Sequence, residues 1–106
     1  MPIPSFSPKT PTEKVILAFS FSGLGVLLPG ETISAKTVSA SVFSGTDATP
    51  SAILNGSPFV DPLDPARILQ GVQNGVDGVV YKLCASITTS LGNVYEIYRL
   101  LRIDSM

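Results

Sequence analysis

The chain has no histidine, no tryptophan and a single cysteine among its 106 residues. Without histidine, the side chain that most often carries protons near neutral pH is missing, and neither a Ser-His-Asp nor a Cys-His arrangement can be built. One cysteine permits no internal disulfide, and with no imidazole beside it a zinc centre lacks its ordinary donors. Charge is scarce as well: seven basic and eight acidic residues make up 14% of the chain, for a formal net charge of −1. The basic residues are spread from Lys9 to Arg102, with Arg99 and Arg102 the nearest thing to a patch. Clustered cations that neutralise phosphates are therefore absent, and nucleic acid is not an expected partner. No apolar run approaches the roughly 20 residues of a membrane-spanning helix. The start Met1-Pro-Ile-Pro-Ser-Phe-Ser-Pro8 lacks the basic and apolar regions of a secretory leader, so synthesis in the cytoplasm is expected, with no membrane partner.

What the chain does have is β-pattern and turn chemistry. The run Gly71-Val-Gln-Asn-Gly-Val-Asp-Gly78 reads as a turn whose glycines supply left-handed backbone angles. After it, Val79, Tyr81, Leu83, Ala85 and Ile87 alternate with Val80, Lys82, Cys84, Ser86 and Thr88, as in a half-buried antiparallel strand. Leu91-Gly92-Asn93 then turns the chain into Val94–Ile103, where Tyr95, Ile97, Arg99, Leu101 and Ile103 share one parity. Ile97, Leu100 and Leu101 also fit a helical spacing, but the β propensity of Tyr95 and Tyr98 and the hairpin connection favour a strand.

Upstream, Val15, Leu17, Phe19 and Phe21 form the inward set of a first strand, and Gly23 to Glu31 reads as a loop. Thr32 to Phe43 is a second strand whose apolar parity slips between Lys36 and Thr37, the signature of a bulge or a change of sheet. Ser44–Pro50 is loop, Ser51–Asn55 a short strand ended by Gly56-Ser-Pro58, Phe59–Pro65 irregular, and Ala66–Val72 a strand again. Residues 1–12 hold Pro2, Pro4, Pro8 and Pro11 and read as a stiff extended arm that cannot join the centre of a sheet. Such an arm either frays or lies along a neighbouring subunit, with Ile3 and Phe6 to bury. The expected organisation is an arm at 1–12 and a single domain at 13–106. Its expected fold is all-β, an immunoglobulin-like antiparallel β-sandwich of about six or seven strands.

Chemical constellations are thin. Asp47, Asp61, Asp64 and Asp77 each sit in turn sequence and are best read as acceptors of local backbone amides. Their spacing fits no regular calcium loop, and Gly71–Gly78 lacks the Lys-Ser/Thr ending of a phosphate loop. Cys84 reads as a small semi-buried filler. No catalytic residue, metal or cofactor is assigned, and an enzyme is not expected. The weakly charged, Ser- and Thr-rich surface favours a subunit covered by neighbours over a merely uncharged sandwich.

The ordered set of Val15–Phe21, Pro29-Gly-Glu-Thr-Ile-Ser34, Ser44-Gly-Thr-Asp-Ala-Thr-Pro50, Ile53-Leu-Asn-Gly-Ser-Pro58, the Val-Asp-Gly turn, Tyr-x-Leu and Ile-Thr-Thr-Ser90 resembles the bacteriophage fibre-tail adaptor proteins. These are small immunoglobulin-like virion proteins of the neck or tail. The resemblance spans roughly residue 13 to residue 103, though Asp61-Pro-Leu-Asp-Pro65 is richer in proline and the last strand alternates less strictly. It implies a structural virion protein that links tail or head-tail connector to fibres or neighbouring subunits, as a homo-oligomer in a ring. Ile3, Phe6, Tyr98 and Arg99 would then be the contact residues. A capsid decoration protein or carbohydrate-binding module is the alternative.

Overall fold

The computed structural model describes residues 5–21 and 30–105. Within them lie six strands, β1 (Val15–Ser20), β2 (Ile33–Ser44), β3 (Leu54–Asp61), β4 (Asp64–Val72), β5 (Val80–Thr89) and β6 (Val94–Arg102), with a 3₁₀ turn at Pro50–Ile53. They form two antiparallel three-stranded sheets, β1-β4-β3 and β2-β5-β6. Read in chain order as the B to G strands of an immunoglobulin domain, these sheets are B-E-D and C-F-G, which among the described residues is that fold's arrangement without its first strand.

The core follows the period-two pattern. On β5 and its approach, Val79, Tyr81, Leu83, Ala85 and Ile87 are all buried, and their alternates are half-buried on the outer face. They join one core cluster with Phe19 and Phe21 at the end of β1 and Ile68 and Val72 of β4 from the other sheet, and with Ile97, Leu101 and Ile103 along β6 and just beyond it in their own sheet. The final segment is a strand, paired with β5 from Thr88↔Val94 to Val80↔Arg102.

The expected slip in β2 is present two residues earlier. Ile33 pairs with Thr89 and Ala35 with Thr88, so Ser34 is the extra residue of a bulge, and its hydroxyl donates to the Thr88 carbonyl at 2.9 Å. Beyond it Lys36, Val38, Ala40 and Val42 take the inner parity, while Ala35 is exposed. A second irregularity leaves Phe43 outside the ladder and exposed.

Residues 51–65 depart most from expectation. Ser51–Ile53 is helical, and the strand begins at Leu54 and runs through Gly56-Ser-Pro58 to Asp61. β3 is an edge strand, so a proline without an amide donor is tolerated there. Gly56, Ser57 and Pro58 oppose Gln70 alone, because the register jumps from Asn55↔Gly71 to Phe59↔Leu69. The buried Gln70 amide fills that gap, its Nε2 donating to the carbonyls of Gly56 (3.0 Å) and Gly71 (2.8 Å). Gly71 lies within β4 and not in a turn; a Cβ there would stand 2.8 Å from the Asn55 carbonyl. Asp61-Pro-Leu-Asp64 is a tight hairpin. Asp61 Oδ1 accepts the Leu63 amide at 2.9 Å, Asp64 Oδ1 accepts the Ala66 amide at 3.0 Å, and Arg67 Nε donates to Asp61 Oδ2 at 2.7 Å.

The described part of the arm follows its own domain. Ser5 and Lys9 bridge in parallel to Leu100 and Ile103. The Phe6 amide donates to Leu100 O at 2.8 Å, and the Lys9 amide to Arg102 O at 3.0 Å. Pro8 interrupts the ladder, as the missing amide requires. Lys9 is buried, and its ammonium donates to the carbonyls of Thr10 (2.7 Å) and Asn74 (2.6 Å). Burial lowers its pKa.

Candidate interaction surface

Several polar side chains hold the sandwich together. Tyr81, near the start of β5, has a buried ring whose hydroxyl donates to Asp47 Oδ2 at 2.6 Å and accepts the Val76 amide at 2.9 Å. This is the tyrosine corner of immunoglobulin-type sandwiches, a ring at the start of the strand F equivalent, here β5, bonded back to the preceding connection. Leu83 occupies the place two residues on where disulfide-bonded members carry a cysteine. The hydrogen bond from Tyr81, joined by the Thr49 amide, holds the Asp47 carboxyl below its usual range, and burial raises the Tyr81 hydroxyl. Sequence reading placed Tyr81 in the core but missed the corner. The signal was the Tyr-Lys-Leu triplet directly after a glycine-rich connection.

At the opposite end, Glu31 and Thr89 are both buried. Thr89 Oγ1 donates to Glu31 Oε2, which also accepts from Asn93 Nδ2 at 3.1 Å. The same hydroxyl accepts the amides of Leu91 and Asn93, each at 3.3 Å, closing the β5–β6 hairpin. Asp77 reaches a distant segment, accepting the Ser105 hydroxyl at 2.7 Å and the Ser105 amide at 3.0 Å, and these bonds lower its pKa. The Leu63 amide and Arg67 do the same for Asp61. Asp47, Asp61 and Asp64 each accept a local backbone amide, as expected, whereas Asp77 accepts the distant one of Ser105; all but Asp64 also take a side-chain donor. No group of three or more Cys, Asp or Glu residues among the described residues could hold a metal ion. The Cys84 thiol is half-buried on the outer face of β5, and burial raises its pKa, which works against nucleophilic use.

The expected contact residues do not form one patch. Ile3 lies outside the described residues. Phe6 meets Phe19 edge-on with ring centroids 5.3 Å apart, so this ring is used within its own domain. Tyr98 is 40% exposed on the outer face of β2-β5-β6, where Lys82 Nζ sits 4.6 Å from its ring centroid. Arg99 takes the opposite parity, half-buried, with Nη1 donating to the Tyr98 carbonyl at 2.9 Å.

The outer face of β1-β4-β3, which sequence reading did not single out, is the more apolar. The register sets Ala18 beside Leu69 and Leu69 beside Phe59 in one row. Ile16 stands in the adjacent row, 62% exposed, and Leu63 projects from the hairpin at 89%. Compared with protein-family models, with curated proteins and with solved structures, the chain matches none.

Proposed function

We propose that this chain is a structural bacteriophage virion protein, an adaptor of the neck or tail that links connector or tail to fibres or neighbouring subunits. The supporting observation is the pairing of a sandwich with one continuous apolar core and a surface that carries large apolar residues and little charge. Ile16, Phe43, Phe59, Leu63, Leu91, Val94 and Tyr98 are all exposed, on a chain only 14% charged. Surfaces of this composition lose free energy when covered by protein. The order of turns and strands resembles the fibre-tail adaptors, and the sandwich is the fold that resemblance implies. Other virion proteins and further copies of the chain are the partners in this reading, the virion its location, and a ring its assembled form.

The alternative of a carbohydrate-binding or capsid-decorating module draws less support. A glycan platform needs an open aromatic face, and Lys82 occupies one face of the Tyr98 ring. Mass spectrometry of purified virions, with immunogold labelling to locate the protein, tests the reading. Detection at the neck or tail is expected. Absence from particles overturns the proposal, and labelling over the capsid shell replaces it with the decoration role.

A further inference from the structure

The chain has three asparagines. Asn93 precedes a valine, and its amide donates to Glu31 at 3.1 Å. Asn55 and Asn74 each precede a glycine. Glycine is the neighbour that least obstructs attack of its own nitrogen on the asparagine side chain, the reaction that makes asparagine a labile residue. The two Asn-Gly pairs sit in different surroundings. Asn55 lies in β3 in register with Gly71, and the Gly56 carbonyl accepts from the buried Gln70 amide at 3.0 Å, so this backbone is held on both sides of the bond. Asn74 is exposed in the connection between β4 and β5. Among the described residues, neither its side-chain amide nor the Gly75 N–H has a hydrogen-bond partner.

The fold itself calls for this pair. Asn74 has φ +54°, a left-handed angle that asparagine adopts more readily than most residues with a side chain. Gly75 has φ +102°, and a Cβ there would stand 2.7 Å from the Ile103 side chain, so a glycine follows. The peptide group that joins them carries a further feature. Its oxygen, the Asn74 carbonyl, accepts the ammonium of the buried Lys9 at 2.6 Å. A charge-assisted bond to that oxygen draws electron density out of the peptide group and makes the Gly75 N–H more acidic.

We infer that Asn74-Gly75 is a site of spontaneous deamidation, activated by Lys9. The Gly75 amide loses its proton and its nitrogen bonds to Asn74 Cγ. The Cγ–Nδ2 bond breaks, ammonia leaves with the proton, and a succinimide ring is closed. Water then adds to one of the two imide carbonyls, and the C–N bond of that carbonyl breaks. Opening at Cγ leaves aspartate. Opening at the main-chain carbonyl leaves isoaspartate, in which the chain runs through Cβ and Cγ and the former carbonyl carbon becomes a free carboxylate. Lys9 polarises the main-chain carbonyl, so isoaspartate is the favoured product. Its carboxylate then forms beside an ammonium that is bonded to the carbonyls of Thr10 and Asn74. The inference is independent of the virion reading.

Incubation of the full chain at neutral and mildly alkaline pH, followed over time by peptide mass mapping, tests it. Asn74 should gain the mass of an amide-to-carboxyl conversion several-fold sooner than Asn55, mainly as isoaspartate. In urea, where neither pair is held by the fold, the two rates should converge. Lys9→Met should slow conversion at Asn74 several-fold and leave Asn55 unchanged, whereas loss of a lysine that only steadied the connection would speed Asn74. Equal rates at the two sites in the folded chain overturn the inference, as does a faster Asn55 or a difference that persists in urea. So does an Asn74 that converts as fast or faster in Lys9→Met. The comparison of Asn74 with Asn55 on the unsubstituted chain decides the matter even if the lysine variant fails to fold.

Discussion

The two sheets solve the same problem in different ways. In β2-β5-β6 the central strand alternates without a break, every inward residue from Val79 to Ile87 is buried, and β6 pairs with it along its whole length. In β1-β4-β3 the central strand buries a glutamine, and its neighbour β3 loses register over three residues around a proline. Stability in the first sheet comes mainly from apolar packing around the regular pair β5-β6, β2 alone carrying bulges, and in the second partly from side-chain amides and carboxylates that repair an irregular ladder. Substitutions of one chemical kind should therefore cost different amounts in the two sheets.

The largest expected effect tests this with one residue type. Leu83 is completely buried at the centre of β5, so Leu83→Ala removes its contacts and leaves a cavity, at about 3–5 kcal/mol. Leu54, half-buried at the start of an edge strand, should lose only about 1–2 kcal/mol on the same change, because water and neighbours fill the space. Urea unfolding of both variants measures the difference, and equal costs would erase the contrast.

Next in size is a backbone effect at the junction between the sheets. Gly75 has φ +102° and lies against Ile103, where a Cβ would stand 2.7 Å from the side chain. Gly75→Ala combines a left-handed backbone with a clash and should cost about 2–3 kcal/mol. Gly78→Ala, with φ +85° and open space around it, carries only the backbone penalty, about 1 kcal/mol. Thermal unfolding of the pair separates the two contributions.

These contrasts also explain how much of the molecule was legible in its sequence. Strand β5 could be read because water on one side and core on the other impose a strict period of two, and nothing local competes with it. The run from Ser51 to Pro65 could not, because what organises it is distant in sequence. Pro58 looks like a terminator until β3 is known to be an edge, and the gap opposite it is filled by Gln70 from another strand. Nothing in the sequence around Lys9 marks it as buried, because the carbonyl that accepts a hydrogen bond from its ammonium belongs to Asn74, far along the chain. Of the surface residues, Tyr98 stood out by type and is exposed, whereas the apolar row on β1-β4-β3 shows only once the register sets Leu69 beside Ala18 and Phe59.

Acid should affect the carboxylate-repaired regions before the apolar ones. Asp47, Asp61 and Asp77 have folded-state pKa values below the ordinary one, held there by donors from Tyr81, the Leu63 amide and Ser105. For a depressed carboxyl the unfolded chain binds the proton first. Each group's contribution is thus complete above the unfolded value of about 3.9 and is lost as pH falls through the folded value. Stability should hold from neutral pH to about pH 5 and decline below about pH 4. Tyr81→Phe, which removes one donor to Asp47, should cost about 1–2 kcal/mol at neutral pH and make the acid decline shallower. Denaturation midpoints from pH 7 to pH 2 for both proteins give the answer, and identical acid slopes would remove Asp47 from the account.

The smallest expected effect is the sharpest on β3. If Pro58 is tolerated because it lies in the stretch opposite Gln70, outside the paired register, Pro58→Ala restores an amide that has no ladder partner to meet. Its cost should be a few tenths of a kcal/mol, mostly the added freedom of the unfolded chain. Gln70→Leu acts on the other half of the same device: the Gly56 and Gly71 carbonyls lose their donor, and about 1–2 kcal/mol should go with it. Hydrogen exchange in Asn55–Phe59 should rise in the glutamine variant and stay unchanged in the proline variant. The reverse order would mean that the proline holds the strand and the glutamine only fills space, and the second sheet would then be stabilised by packing like the first.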